Sequence, residues 1–360
     1  MWNDMVTGIL HEKVALLRRI AACLLLFSSV LPWTAAASPL FDDDSVLEVR
    51  LSGPLRSVAR SRKQSEPDTY AFTLKVGAAE IPVDVRVRGK SRKIVCSFPP
   101  LRLGFPEEGA AGTVFAGQDK LKLVTHCKSG NHNSETNLLD EYTAYRIFNE
   151  ISDIGYRVRL LRIHYEDTDG RLRNLDQPYY AFLIESDDEL ASRLGGEVAE
   201  VTGVPYSRLN EKHTAQFYVF QYLIGNFDWS FVTAEDAETC CHNVDLVEKD
   251  GQLYPVAYDF DFSGLVNATY TTIPPSIGIK RATQRVFRGY CKLAIEHVAA
   301  GFDDIVAKRD EIMSVVTNSP VIDGGDTDAR ARYIGYFFEQ AIVERDEMLE
   351  EFDSDCLGPH

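Results

Sequence analysis

The sequence predicts an α+β protein built as two lobes, a β-rich first lobe over 38–185 with one long helix and a mostly helical second lobe over 186–360. Short segments near the start alternate apolar and polar residues and end at glycine, which is the period of a half-buried strand. The last hundred or so residues instead carry apolar side chains at three- and four-residue spacing, the period of a helix. With 360 residues and 45% hydrophobic content the chain can bury large cores, so a disordered polymer is excluded, and no internal repeat or low-complexity linker interrupts it.

Before either lobe, residues 18–37 read as a cationic pair, an apolar run and a small-residue end, the order of an export signal cleaved near Ala37. Pro32 and the closing alanines shorten the apolar run below a membrane span. The expectation is therefore an exported protein, periplasmic or extracellular, with no stable membrane anchor after cleavage. Removing 1–37 takes Cys23 away and leaves Cys96, Cys127, Cys240, Cys241, Cys291 and Cys356, an even set that suits disulfides. Adjacent Cys240 and Cys241 are not expected to pair with each other, because neighbouring residues fall outside ordinary disulfide geometry.

The first lobe opens with three strands, SVLEVRLSG, TYAFTLKVG and IPVDVRVRG, the first two separated by the polar stretch RSVARSRKQSEPD, read as a surface loop. PPLRLGF and KLKLVTH follow as a strand pair around the glycine-rich EEGAAGTVFAGQ. The helix NSETNLLDEYTAYRIFNEISDIG sets Leu138, Tyr142, Tyr145, Phe148 and Ile151 on one face, with Glu135 in its first turn and Gly155 as its stop. YRVRLLRIHYED and QPYYAFLIE then form two strands joined around Asp169-Gly170.

In the second lobe SRLNEKHTAQFYVFQYLIGN is a helix burying Leu209, His213, Phe217, Phe220 and Ile224 and stopping at Gly225, and His213 reads as a core histidine rather than a metal ligand. NVDLVEKDGQLYPVAYDF is a hairpin turning at Asp250-Gly251. Helical spacing resumes in DIVAKRDEIMSVV and RARYIGYFFEQAIVERDEMLEEF, separated by the turn-rich SPVIDGGDTD.

The chemistry concentrates where these elements meet. Asn226-Phe227-Asp228 lies at a helix exit, Asn243 opens a strand, and Asp259-Phe260-Asp261 closes the strand paired with it. A hairpin returns the chain near its start, so Asn243 and Asp259 should come within reach of one divalent ion, with Asp228 beside them. Each carboxylate sits among aromatic residues that pack inward, where it needs a proton, a cation or a hydrogen-bonding partner. Phosphoryl transfer uses such a set: a carboxylate that orients or deprotonates the attacking hydroxyl, and oxygen ligands that hold Mg2+ against the phosphates. The formal charge of −16 repels nucleic-acid phosphates, so no nucleic-acid partner is expected, and any phosphate ligand must meet a local basic pocket or a metal ion.

Five segments together, VDVRVRGKSR, NLLDEYTAYRIFNEI, YYAFLIES, GNFDWSF and YPVAYDFDFSG, resemble the CotH-like secreted protein kinases, an atypical branch of the protein kinase fold. The last two are the most specific: the first matches the family's glycine-Asn-aromatic-Asp loop, and the second resembles its Pro-x-x-Asp-aromatic-Asp metal segment with one residue more between Pro255 and Asp259. The resemblance, over roughly 80–270, implies a bilobal kinase-like fold, ATP as phosphoryl donor and Mg2+ or Mn2+ as cofactor, with a protein or small hydroxyl compound as acceptor. It implies Asp228 as the catalytic aspartate, Asn243 as a metal ligand, and Asp259 as the main metal-binding acid with Asp261 assisting.

Two departures from that family stand out. Where it carries a lysine pair after its glycine segment, this chain reads Cys96-Ser97-Phe98-Pro99-Pro100-Leu101-Arg102. Lys122 is the substitute for the nucleotide lysine, with Lys120, Arg92 and Arg102 behind it; Glu141 or Glu150 could orient it, and Glu185 completes the candidate nucleotide-site residues. Asp228 and Asn243 are also fifteen residues apart, against about five in a kinase catalytic loop, with FVTAEDAETCCH inserted between them. The insertion either is pinned so that the geometry is restored or blocks the site. Two further classes follow from the same residues: a non-catalytic exported binding protein that has lost its nucleotide lysine, and a metal-dependent hydrolase that activates water.

Overall fold

The computed structural model describes residues 39–106, 109–232 and 240–358. The export signal expected over 18–37 and the middle of the insertion after Phe231 lie outside the described residues.

Seven strands form one closed barrel: β1 (Leu47–Gly53), β2 (Tyr70–Val76), β3 (Ala79–Val87), β4 (Leu101–Gly104), β5 (Lys120–Val124), β6 (Val158–Asp167) and β7 (Tyr179–Ile184), in the order β1-β2-β3-β4-β5-β7-β6. Neighbours pair antiparallel around the ring except at the seam, where β1 runs parallel to β6 from Leu47↔Leu161 to Gly53↔Asp167. Alternation does the sorting: Ile81, Val83, Val85 and Val87 of β3 are buried while Pro82, Asp84 and Arg86 between them are exposed.

This closure overturns the bilobal kinase-like fold expected from the sequence, because an open sheet with a separate helical lobe leaves edges and the parallel β1–β6 seam removes them. Nor is the helical part a separate lobe. Phe182 and Ile184 of β7 and Leu160 of β6 belong to the same apolar core as the helices. A second core, with Leu51, Leu74, Val85, Leu103 and Leu123, fills the barrel.

Among the described residues there are nine α-helices: α1 (Leu55–Ser61), α2 (Arg92–Val95), α3 (His132–Ile151), α4 (Asp187–Leu194), α5 (Glu211–Leu223), α6 (Ile295–Ala307), α7 (Arg309–Asn318), α8 (Gly324–Val343) and α9 (Arg345–Asp355). Helix α1 occupies the start of the stretch expected as a surface loop. Its Leu55, Val58 and Ala59 are buried, and its first amides donate to carboxylates at the end of β6, Arg56 N to Asp167 at 3.2 Å and Ser57 N to Asp169 at 2.9 Å. Helices α3 and α5 lie where the apolar spacing put them, begun by the side chains of Asn131 and Asn210 that accept from Ser134 N and His213 N. His213 is buried and held by Ser152 at 3.1 Å and the Pro255 carbonyl at 2.8 Å, a core histidine as expected. The two C-terminal helical stretches break at Lys308 and Glu344, giving four helices.

A separate three-stranded sheet, β8 (Glu197–Val198), β9 (Val244–Lys249) and β10 (Gln252–Ala257), carries the expected hairpin, with Asp250 and Gly251 both in the left-handed region at φ 51° and 76°. The six cysteines form Cys96–Cys127, Cys240–Cys241 and Cys291–Cys356. The middle pair corrects the expectation that adjacent cysteines stay apart: the peptide between them is cis and their Cα atoms are 3.0 Å from each other.

Candidate functional site

The β9–β10 hairpin does what its pattern promised. Val244 pairs with Ala257, so the residues just outside, Asn243 and Tyr258-Asp259, emerge side by side, with Tyr258 N donating to the Asn243 carbonyl at 3.3 Å. Asn243 and Asp259 both take left-handed backbone, φ 54° and 60°, which turns their side chains off the hairpin's run. Phe260, fully buried, anchors the segment between Tyr145 of α3 and Phe220 of α5 at ring distances of 4.6 and 5.5 Å. The Tyr145 hydroxyl accepts from Asp259 N at 3.1 Å.

Asp228 arrives from the exit of α5. Buried Asn226 accepts from Asp228 N at 3.1 Å and donates to Gln221 at 2.9 Å, while Phe227 and Trp229 on either side are buried. Across the insertion, Asn243 Nδ2 donates to the Asp228 carbonyl at 2.7 Å and to its carboxylate at 3.1 Å, and His242 Nε2 lies 3.0 Å from the other carboxylate oxygen. The fifteen-residue separation is thus closed by direct hydrogen bonds, and an antiparallel bridge between Ser230 and His242 ties the ends of the insertion. Contact with Asp228, and then burial and the Asp228 charge, act on His242, with the net effect of raising its pKa.

At the centre stands Arg92, on the short helix α2 whose next turn is bound to the rest of the fold through Cys96–Cys127. Its guanidinium donates twice to Glu141 of α3, at 2.7 Å each, also to Asp259, and lies 3.2 Å from Asp261. Burial alone would lower the Arg92 pKa, but Glu141, Asp261 and Asp259 around it hold it firmly charged. Burial drives Asp261 well above the usual carboxylate range in spite of Arg92, and raises Glu141 as well. Burial also opposes ionisation of Asp259, yet Arg92, Arg88 and His242 keep its carboxyl below the usual value.

The structure therefore reverses the order of the basic candidates. Arg92, ranked behind Lys122, meets Glu141 and the aspartates, and Glu141 rather than Glu150 is its partner. Lys122 pairs instead with Asp187 at the start of α4, 2.7 Å away, over the rings of Tyr156 and Tyr258 at 5.3 and 5.7 Å. Arg102 stands beside Lys122 in the β4–β5 register and beside Arg86 in the β3–β4 register. Glu185 is fully buried and accepts from Arg157 at 3.0 Å and Arg193 at 2.9 Å. Arg88 is the functional candidate that sequence reasoning passed over. Its charge favours the ionised forms of Asp259, Glu141 and Asp187, and it ends the alternation Arg86-Val87-Arg88 before Gly89.

Among the described residues, no three His, Cys, Asp or Glu side chains converge as a formed metal site. The donor chemistry fits a cation in part. The Asp228 and Asp259 side chains are 29% and 37% exposed, and Asn243 donates to Asp228 from the hairpin exit that bears Asp259. Asp261 does not fit the ligand role expected of it, because it is 5% exposed and held by Arg92 and the Tyr270 hydroxyl at 3.0 Å. No protein-family model matches the chain, and no curated protein matches it either.

Proposed function

We propose that the protein is an exported CotH-like phosphotransferase that moves a phosphoryl group from ATP to a protein or small hydroxyl acceptor, on a barrel scaffold. One observation carries the reading: Asn243 bonds Asp228 across the insertion and so joins it to the hairpin exit that bears Asp259, whose carboxyl is shared with the Arg92–Glu141 pair. In this reading Asp228 orients the acceptor hydroxyl and takes its proton, while Asn243 fixes the carboxylate by donating to it. His242 holds the opposite oxygen of the same carboxylate. Arg88 and Arg102, beside the Lys122–Asp187 pair, supply the local positive charge that a chain of net −16 needs to meet phosphates. Asp259 and Asn243 are the residues that would hold Mg2+, which would supply charge neutralisation on the transferring phosphates.

Export is proposed on the leader pattern over 18–37 together with three cysteine pairs, a framework typical of oxidising compartments. No described helix is long and apolar enough to cross a membrane.

The test is incubation of the purified chain with γ-labelled ATP and Mg2+ beside an Asp228→Asn variant, with calorimetry of ATP binding in the presence and absence of the metal. Label in the wild type and none in the variant supports the proposal; neither transfer nor metal-dependent binding in the wild type sinks it. A second reading, a non-catalytic binding protein, is favoured by the pairing of Lys122 with Asp187, which leaves the expected nucleotide lysine engaged elsewhere. ATP and Mg2+ leaving the melting temperature unmoved is the result that reading requires.

A further inference from the structure

Behind the acidic residues, the two segments that carry them touch through their glycines. Gly264 N donates to the Gly225 carbonyl at 2.9 Å, and Leu265 N to the Ile224 carbonyl at 3.0 Å. These two bonds join the segment entering Asp228 to the segment leaving Asp259 and Asp261. Gly225 stops α5 in the left-handed region at φ 64°, and Gly264 follows Ser263, which is fully buried. Both glycines leave a notch, and the hydroxyl of Tyr333, on α8, fills it: a Cβ on either glycine would overlap that oxygen, and one on Gly264 would also stand 2.7 Å from the Ala282 carbonyl.

The Tyr333 hydroxyl is buried and has no hydrogen-bond partner among the described residues. An orphaned buried hydroxyl costs free energy, so shape rather than hydrogen bonding keeps it there. The ring is fixed from its other side by Arg285, whose guanidinium lies 4.2 Å from the ring centroid and donates to the Tyr333 carbonyl at 2.6 Å and to Leu223 O, at the end of α5, at 3.1 Å. The same helix reaches α3: buried Arg330 donates to Asp140 at 2.7 Å, one residue before Glu141. Helix α8 thus braces α3, which carries Glu141, and the two segments that carry Asp228 and Asp259–Asp261.

We infer that Tyr333 is a positioning residue that sets the spacing between the Asp228 segment and the Asp259–Asp261 segment by filling the Gly225–Gly264 notch. The part of this that concerns catalysis rests on the phosphotransfer reading above; the part that concerns loop spacing does not. Tyr333→Leu keeps apolar volume against Arg285 but is too short to reach the notch, and Tyr333→Phe keeps the ring and loses only the hydroxyl. Gly264→Ala attacks the same contact from the opposite side.

The experiment is amide hydrogen exchange on full-length wild type and these three variants, alongside phosphoryl transfer measured as kcat and KM for ATP. Tyr333→Leu and Gly264→Ala should speed exchange at the Gly264 and Leu265 amides while the α6 and α8 amides keep their protection, and lower kcat on the order of tenfold to a hundredfold with KM within about twofold. Tyr333→Phe should lie between them and wild type. Unchanged exchange at those two amides overturns the inference whatever transfer does, and so does faster exchange spread over the whole chain. Local loosening with undiminished kcat overturns the catalytic part. A wild type that transfers no phosphate overturns the phosphotransfer reading, and the exchange pattern then decides the loop-spacing part alone.

Discussion

Asn243 donates one side-chain amide group to both the backbone carbonyl and the carboxylate of Asp228, at 2.7 and 3.1 Å, although fifteen residues separate the two in sequence. The left-handed backbone at Asn243 aims the amide there, and the β9–β10 pairing that begins at the next residue holds the aim. Removing the amide by Asn243→Ala should cost about 1–2 kcal/mol of stability, since the Asp228 carbonyl and carboxylate both lose their donor. Urea unfolding measures that, and phosphoryl transfer should fall about a hundredfold as the Asp228 carboxylate loses its orientation.

Arg92 should be far costlier to remove. Its guanidinium is the shared counter-ion of Glu141, Asp259 and Asp261, and Arg92→Ala leaves buried carboxylates uncompensated, a loss of about 3–5 kcal/mol. The pH dependence has a definite sign. Glu141 and Asp261 already titrate above their usual values when folded, so without Arg92 the folded state holds protons that the unfolded chain releases, and stability falls as pH rises through the ordinary carboxylate range. Chemical denaturation at pH 5 and pH 8 should therefore show a larger deficit for Arg92→Ala at pH 8.

Acid should act through a different residue. Burial holds the His213 imidazole down to about 4, against 6.5 for the unfolded chain, so below pH 6.5 the unfolded state takes up a proton that the folded state refuses. Going from pH 7 to pH 5 should then cost about 2 kcal/mol through this histidine. A His213→Gln variant, unfolded in urea at both values, should lose about that much less than wild type on acidification.

Cys291 and Cys356 are 65 residues apart in sequence and join the segment before α6 to the end of α9. Replacing both by serine frees that loop in the unfolded chain, with an expected loss of about 4 kcal/mol on the loop-entropy relation. Scanning calorimetry of the double variant, under conditions that keep the other pairs oxidised, measures the drop.

Local elements were legible because their signals are local. The apolar spacing of α3 and α5, the Asp250-Gly251 turn and the approach of Asn243 to Asp259 all follow from neighbours within one hairpin or one helix. The barrel was not legible, because the pairing that closes it joins β1 to β6 over more than a hundred residues and no local pattern encodes that. Helix α1 was hidden by its charge: Arg56, Arg60 and Arg62 around Leu55, Val58 and Ala59 read as loop, while the acidic end of β6 that accepts its amides lies far along the chain. Arg92 was undervalued for a similar reason, since its place is set by Cys96–Cys127 and by Glu141 from another helix, neither visible from its neighbours. Tyr333 reads as one more aromatic on a helical face, and only the two distant glycines give it a role.

The parallel seam also governs the order in which the chain becomes complete. As synthesis proceeds, β1 to β4 can zip up by successive hairpins, but the free side of β1 has no partner until Val158–Asp167 has been made. A nascent chain halted before that point displays a bare row of backbone donors and acceptors along Leu47–Gly53, and folding rests on a contact of high sequence separation. The step that finishes the barrel is thus a late event for the first strand to emerge.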